Sequence, residues 1–183
     1  VCFLSRIAPK KNLRYAIDLL RQVRRPVEFH IYGPLEDADY ARECRELAGA
    51  PGSSLTTVWH GEVAHEHVRE RLGRHHVFFL PTCGENFGHA IFEALVAGVP
   101  VLLSDQTPWC GLDDCGAGWV RPLASSRAFI EILEAYADSP ASERESRALR
   151  AHAYAMKYWR SNSTLGAMRD LFSACRPQQP LTS

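Results

Sequence analysis

The sequence predicts an α/β domain, with a parallel sheet of about six strands covered by helices on both faces. Three observations predict it. Short runs rich in β-branched and aromatic residues recur along the chain, longer segments with a helical period separate them, and glycines, hydroxyls and charges gather just after the runs. The strand-like runs are residues 1–4, 27–32, 55–59, 77–80, 100–103 and 119–120. Between them lie helix-like segments at 13–23, 37–47, 65–72, 88–97 and 126–137. The first helical segment carries Leu13, Ala16, Ile17, Leu20 and Val23 on one face. Strand–helix–strand repeats joined by right-handed crossovers build a Rossmann-like three-layer domain. The predicted domain covers residues 1–140. From about 141 charges cluster (Glu143, Arg144, Glu145, Arg147, Arg150), followed by Tyr154, Tyr158 and Trp159. Residues 141–175 read as one long helix or two consecutive ones, with Ser161, Asn162 and Ser163 as break or cap. The polar, proline-containing stretch 176–183 reads as a disordered tail.

At 183 residues and 46% apolar content, the chain has enough material for one compact core. Its 21 basic and 21 acidic residues cancel, so neither nucleic acid nor an anionic surface is an expected general partner. No apolar run approaches the ~20 residues that a membrane span needs. The chain opens on strand-like Val1 without a signal peptide, which predicts a piece of a longer cytoplasmic protein. The six cysteines (Cys2, Cys44, Cys83, Cys110, Cys115, Cys175) form no CxxC pair, so free thiols are expected rather than a zinc site.

The most informative stretch runs from Pro81 to Leu95. Glu85 and Glu93 stand eight positions apart, separated by a Gly-containing turn that opens a helix. Around Glu93 that helix is apolar on every side (Ala90, Ile91, Phe92, Ala94, Leu95), and such a helix is normally buried. A carboxylate there needs a partner, either a ligand hydroxyl or an Arg or backbone donor of the protein. In an open parallel sheet, ligands bind beyond the carboxyl ends of the strands. Arg6 and Lys11 follow the first strand, Gly33 and Pro34 the second, His60, Gly61 and Glu62 the third, Thr82 to Glu85 the fourth, and Ser104 to Thr107 the fifth. Arg6 and Lys11 could grip a diphosphate, or stand as solvated strand-end charges. The helix start at Glu85–His89 favours an anion, and Gly88 would let a phosphate or sugar approach the backbone.

Together these residues resemble the C-terminal, nucleotide-sugar-binding domain of retaining GT-B glycosyltransferases of the family 4 type (glycosyl transferases group 1). The likeness covers about residues 1–137. Phe3 to Asn12 is similar to the family's donor-phosphate segment, and His60-Gly61-Glu62-Val63 to the segment beside the nucleotide base. Pro81 to Glu93 resembles its Glu–seven residues–Glu motif, and Ala97 to Val101 the usual continuation. The resemblance implies that Arg6 and Lys11 hold the donor diphosphate and stabilise the leaving group. It implies that Glu85 and the backbone of Asn86, Phe87 and Gly88 contact the transferred sugar or distal phosphate, that Glu93 binds the ribose, and that Gly33 and Gly61 flank the base. It implies a metal-independent hexosyltransferase with no cofactor, in which fixed cations and a helix dipole act where other enzymes use a metal. Arg6, Lys11 and Glu85 would carry catalysis, without a protein nucleophile. The acceptor, a glycan or lipid-linked molecule, would bind through an N-terminal domain that this chain lacks. The chain alone would then be inactive, and the full-length protein would work in polysaccharide biosynthesis, in the cytoplasm or at the inner face of the plasma membrane as a peripheral protein.

Ser5 and Asn12 stand where the family often has glycine, which is tolerable if the backbone there avoids positive φ. Residues 104–118 lack the family's frequent Glu-containing turn, leaving Thr107 as the phosphate contact to consider. The final aromatic residues resemble the segment that crosses back to the N-terminal domain, and an apolar patch is expected around Trp159. Asp37-Ala38-Asp39 is better read as acids at a helix start than as a metal motif. His65, His67, His75 and His76 read as surface residues, Asp113 and Asp114 as loop, and Trp109 and Trp119 as packing. His89 lies within the donor segment without a favoured role. Two alternatives remain beside a transferase: a nucleotide-sugar epimerase of the same architecture, and a non-catalytic nucleotide-sugar-binding module.

Overall fold

The computed structural model describes residues 1–161. Six parallel strands, β1 (Cys2–Leu4), β2 (Val27–Tyr32), β3 (Leu55–Gly61), β4 (Phe78–Leu80), β5 (Val101–Ser104) and β6 (Gly118–Arg121), form one sheet in the order β3-β2-β1-β4-β5-β6. The helices are α1 (Leu13–Gln22), α2 (Ala38–Gly49), α3 (His65–Leu72), α4 (His89–Val96), α5 (Leu112–Cys115), α6 (Ser126–Ala137) and α7 (Ala141–Ser161), with a 3-10 turn at Pro9–Lys11. α1 packs with α2 and α6, whereas α4 packs with α3 and α7, and α5 with α7. This is the three-layer α/β/α arrangement that the alternating pattern predicts.

Because helices cover both faces of the sheet, its strands can be apolar throughout. Phe3, Phe29, Phe78, Phe79, Val101, Leu102 and Leu103 are wholly buried. α1 buries Leu13, Ala16, Ile17 and Leu20 as its period requires, and Val23 follows just past its end. Asp37 caps α2 by accepting the Tyr40 N–H at 2.9 Å, so this acid has a structural role. α4 is apolar on several sides because it has several neighbours: Ile91, Ala94 and Leu95 are buried, while Phe92 packs against Trp159 of α7.

Three local readings change. Asp113 and Asp114 lie in α5 rather than in loop, and the Asp113 carboxylate accepts the Val120 N–H and pairs with Arg121. Asn12 adopts φ +60°, so the backbone there does enter the left-handed region; asparagine tolerates this, and its amide donates to the Pro81 carbonyl at 2.9 Å. His75 is half-buried, with Nε2 2.9 Å from the Tyr32 hydroxyl, because α3 and the turn after it fold back against β2. His65, His67 and His76 are exposed as expected. Among the described residues the five cysteines are unpaired, no cluster of ligands could hold a metal, and no helix is long and apolar enough to cross a membrane. α7 runs unbroken to Ser161, the first residue of the break or cap expected at 161–163; Asn162 and Ser163, Cys175 and the tail 176–183 lie outside the described residues.

Candidate donor-binding cleft

The strand order reverses between β1 and β4, and the loops leaving these two strands form the walls of a cleft of about 640 Å³. This is the switch point at which open α/β sheets bind ligands. Polar links fasten the walls to each other. Cys83 N–H donates to the Lys10 carbonyl at 2.9 Å, the Thr82 hydroxyl to the same oxygen at 3.1 Å, and the Asn12 amide to Pro81. Arg6, Lys11, Gly33, Glu85, Gly88 and Glu93 all line the cleft. Three other sequence-predicted residues do not. Gly61 is not among the lining residues, although Glu62 beside it is, and its carbonyl accepts the Gly33 N–H at 2.7 Å; Asn86 is exposed to solvent; Phe87 turns its ring toward α7.

The two cations differ in setting. Lys11 Nζ lies 2.6 Å from a Glu85 oxygen, with side-chain exposures of 9% and 17%. Lys11 is held by the 3-10 turn, and Glu85 by its N–H donating to the Gln106 carbonyl at 3.0 Å. Arg6 pairs with Glu36, both side chains largely exposed at 60% and 45%. The backbone brings the two segments together through an isolated parallel bridge between Ile7 and Leu35; Arg6 and Glu36 flank it diagonally and meet through the reach of their side chains. At Gly33 the backbone runs so close to β1 that an added Cβ would stand 1.9 Å from the Ser5 carbonyl oxygen, at φ +132°.

Glu93 reaches the cleft from the second turn of α4. Its side chain is only 22% exposed, and His65 Nδ1 lies 3.1 Å from its Oε1. Burial raises its pKa above the ordinary carboxylate value, against the opposing pull of His65 and His89. The partner that the apolar helix demanded is therefore a histidine at the start of α3, a residue that the sequence leaves on the surface. At the mouth of the helix, Gly88 takes φ +79°, and a Cβ there would meet Ile91 Cδ1 at 2.6 Å. Gly88, His89 and Ala90 at the start of α4 line the cleft, and no side chain among the described residues caps this helix start, the combination that favours an anion. The Thr107 hydroxyl is buried without a partner among the described residues and does not line the cleft.

The apolar patch expected around Trp159 takes the form of half-buried aromatic rings. Tyr154, Tyr158 and Trp159 of α7 stack on Trp109, Phe87 and Phe92. Trp119 packs at a steep angle to Tyr136 with Arg147 over its ring, as a packing residue. Sequence reasoning missed Glu36, His65 and the polar end of Trp109. Only Glu36, a charge two residues past a Gly-Pro turn, carried any local signal.

A family model described as glycosyl transferases group 1 matches residues 1–148. Among solved structures, the chain is similar to HepE from Anabaena in complex with UDP-glucose, with a TM-score of 0.75 at 20% identity over 94% of this chain and 48% of that one. It is similar to WaaG, a glycosyltransferase involved in lipopolysaccharide biosynthesis, with a TM-score of 0.66 at 18% identity over 84% and 42%. It is also similar to the catalytic domain of cholesterol-α-glucosyltransferase from Helicobacter pylori, with a TM-score of 0.67 at 14% identity over 86% and 98%. The likeness at these identities is one of fold. The chain spans about half the length of the HepE structures it matches. No match was found among curated proteins.

Proposed function

The chain belongs to the glycosyl transferases group 1 family, and from that premise we propose that it is the C-terminal, donor-binding half of a retaining glycosyltransferase of the family 4 type. The enzyme would move a sugar from a nucleoside-diphosphate sugar to a glycan or lipid-linked acceptor. The observation that carries the proposal is a single cleft, at the sheet's switch point, lined by Arg6, Lys11, Glu85, Gly88 and Glu93. In this reading Glu93 accepts hydrogen bonds from the ribose, and the backbone around Gly33 and Gly61 shapes the base site. The open end of α4 and the two cations hold the diphosphate. Arg6 is free to exchange Glu36 for phosphate oxygens, since an exposed pair contributes little by itself.

Transfer breaks the bond between the sugar's anomeric carbon and the phosphate oxygen. A bond from that carbon to the acceptor oxygen forms on the same face. The acceptor's proton passes to the departing phosphate, whose growing charge Lys11, Arg6 and the α4 amides stabilise. Lys11 stays fixed by Glu85, so this stabilisation is preorganised. No protein nucleophile is needed, and Glu85 serves to orient Lys11 and the sugar. We propose that these groups carry the charge without a metal. The N-terminal half of the full-length protein would supply the acceptor site, with residues 141–175 as the crossing segment.

The test is calorimetric titration of the full-length protein with nucleoside diphosphates and their sugars, with and without EDTA. UDP is the first probe because HepE was solved with UDP-glucose. Binding that survives EDTA and weakens at least tenfold in Glu93→Ala, the scale of about 1.4 kcal/mol from lost hydrogen bonds, supports the proposal. Binding that needs a divalent ion, or that ignores Glu93, defeats it.

A further inference from the structure

We infer that Trp109 is a positioning residue for the donor diphosphate, acting through the peptide between Phe87 and Gly88; the inference rests on the donor-cleft reading above. Trp109 is buried at 3% exposure, its ring centroid 5.5 Å from Phe87, 6.2 Å from Phe92 and 4.8 Å from Tyr158. Packing alone would be served by any aromatic ring. The indole does more, because its Nε1–H donates to the Phe87 carbonyl at 2.5 Å. Indole is a donor only, and a buried one needs an acceptor.

The consequence lies on the other side of that peptide. The chain has no cis peptide among the described residues, and a trans peptide sets its carbonyl and its N–H in opposite directions. Holding the Phe87 carbonyl toward the indole turns the Gly88 N–H away from the aromatic rings. Gly88 lines the cleft, and its N–H has no acceptor among the described residues. Trp109 therefore aims an amide at the place where the open end of α4 would meet phosphate. Without the indole N–H, the Phe87–Gly88 peptide has one restraint fewer in a glycine turn at φ +79°, where the backbone is least restricted.

The indole is itself braced from outside the cleft. Tyr158 packs on it, and the Tyr154 hydroxyl donates to the carbonyl of the next residue, Cys110, at 2.8 Å. α7, none of whose residues lines the cleft, so holds the residue that orients the cleft's amide.

The experiment compares UDP with uridine on the full-length protein and its Trp109→Phe variant, with uridine measured by competition. Phenylalanine keeps an aromatic ring and removes the donor. We expect UDP affinity to fall about tenfold, the scale of one hydrogen bond to a charged group, and uridine affinity to stay within about twofold. Glu93→Ala, in contrast, weakens both ligands. Replacing Trp109 with β-(3-benzothienyl)alanine, which preserves ring shape and swaps N–H for sulfur, gives the same phosphate-specific loss even if phenylalanine disturbs folding. Equal losses for UDP and uridine, or unchanged UDP binding in either variant, overturn the inference and leave the donor cleft standing. Failure of the unsubstituted protein to bind any nucleoside diphosphate overturns both.

Discussion

Two cavities of nearly equal size open on this sheet, and they are built in opposite ways. The cleft beyond the carboxyl ends of β1 and β4 encloses about 640 Å³. The second, about 610 Å³, begins at the amino ends of β1 and β2 and runs along the sheet past His30, Tyr32, His60 and His75. In the cleft, Arg6 and Glu85 stand on loops, Lys11 on the 3-10 turn and Glu93 on α4, and one of the ion pairs is open to water. In the second cavity the polar atoms have already found each other: His30 Nδ1 lies 2.9 Å from His60 Nε2, Tyr32 pairs with His75, and the Tyr32 and His60 rings stack at 4.3 Å. Volume does not separate the two. What separates them is how far their pairs open to water: the cleft includes the exposed ion pair Arg6–Glu36, whereas the second cavity sets the half-buried His75 against the buried Tyr32. Within the cleft the same contrast recurs between Lys11–Glu85, which is nearly enclosed, and Arg6–Glu36, which is not.

Breaking the enclosed pair should have the largest effect. Lys11→Ala leaves Glu85 without its cation in a mostly buried site and should cost about 3 kcal/mol, the low end for severed buried pairs. Denaturant unfolding measures it, and an unchanged midpoint would show that the cleft's charges are as independent of the fold as a surface pair. The second cavity is tested by acid. Burial pushes His75 down to about 3, so the native state keeps it neutral while the unfolded chain protonates it near 6.5. The unfolded state therefore binds more protons below that value, and stability falls as pH drops from 6.5 toward 3. Each unit contributes at most about 1.4 kcal/mol. Between pH 6.5 and 5 the loss should reach at most about 2 kcal/mol, and His75→Gln should flatten that slope. The smallest stability effect belongs to Arg6→Ala, under about 0.5 kcal/mol as for exposed pairs. Its nucleoside-diphosphate affinity should nonetheless fall severalfold, and more at low salt than at high. A stability loss equal to that of Lys11→Ala would erase the distinction between the two pairs.

The order of the strands and long helices was legible because each declares itself locally, by run length or period, whereas the four-residue α5 is too short to show either. The cleft's membership was legible for a related reason: Arg6, Lys11, Gly33, Glu85 and Gly88 all follow strands that must end on one side of a parallel sheet. Partners were not legible. Glu36 meets Arg6 only through the Ile7–Leu35 bridge. Lys11 turns to Glu85 because the walls are laced by Asn12 and Thr82. His65 reaches Glu93 only once α3 lies against α4. Trp109 read correctly as a packing residue, but its N–H has a destination only in three dimensions. Asn12 misled for a converse reason. Its side chain and its left-handed backbone serve one tertiary contact, which no local rule about glycine anticipates.

The lacing of the two walls also sets when the cleft can exist. Lys11 and Glu85 are 74 positions apart, and Asn12 and Pro81 are 69 apart. β1 forms its ladder with β2 first in sequence, but its other edge waits for β4, after two more helices and β3 have been made. During synthesis the chain can assemble β1, α1 and β2 while half of the future site is still inside the ribosome. Contacts of such long sequence separation form slowly. The cleft therefore requires β4 to dock on β1, and Lys11 can meet Glu85 only after the chain has continued for those 74 positions.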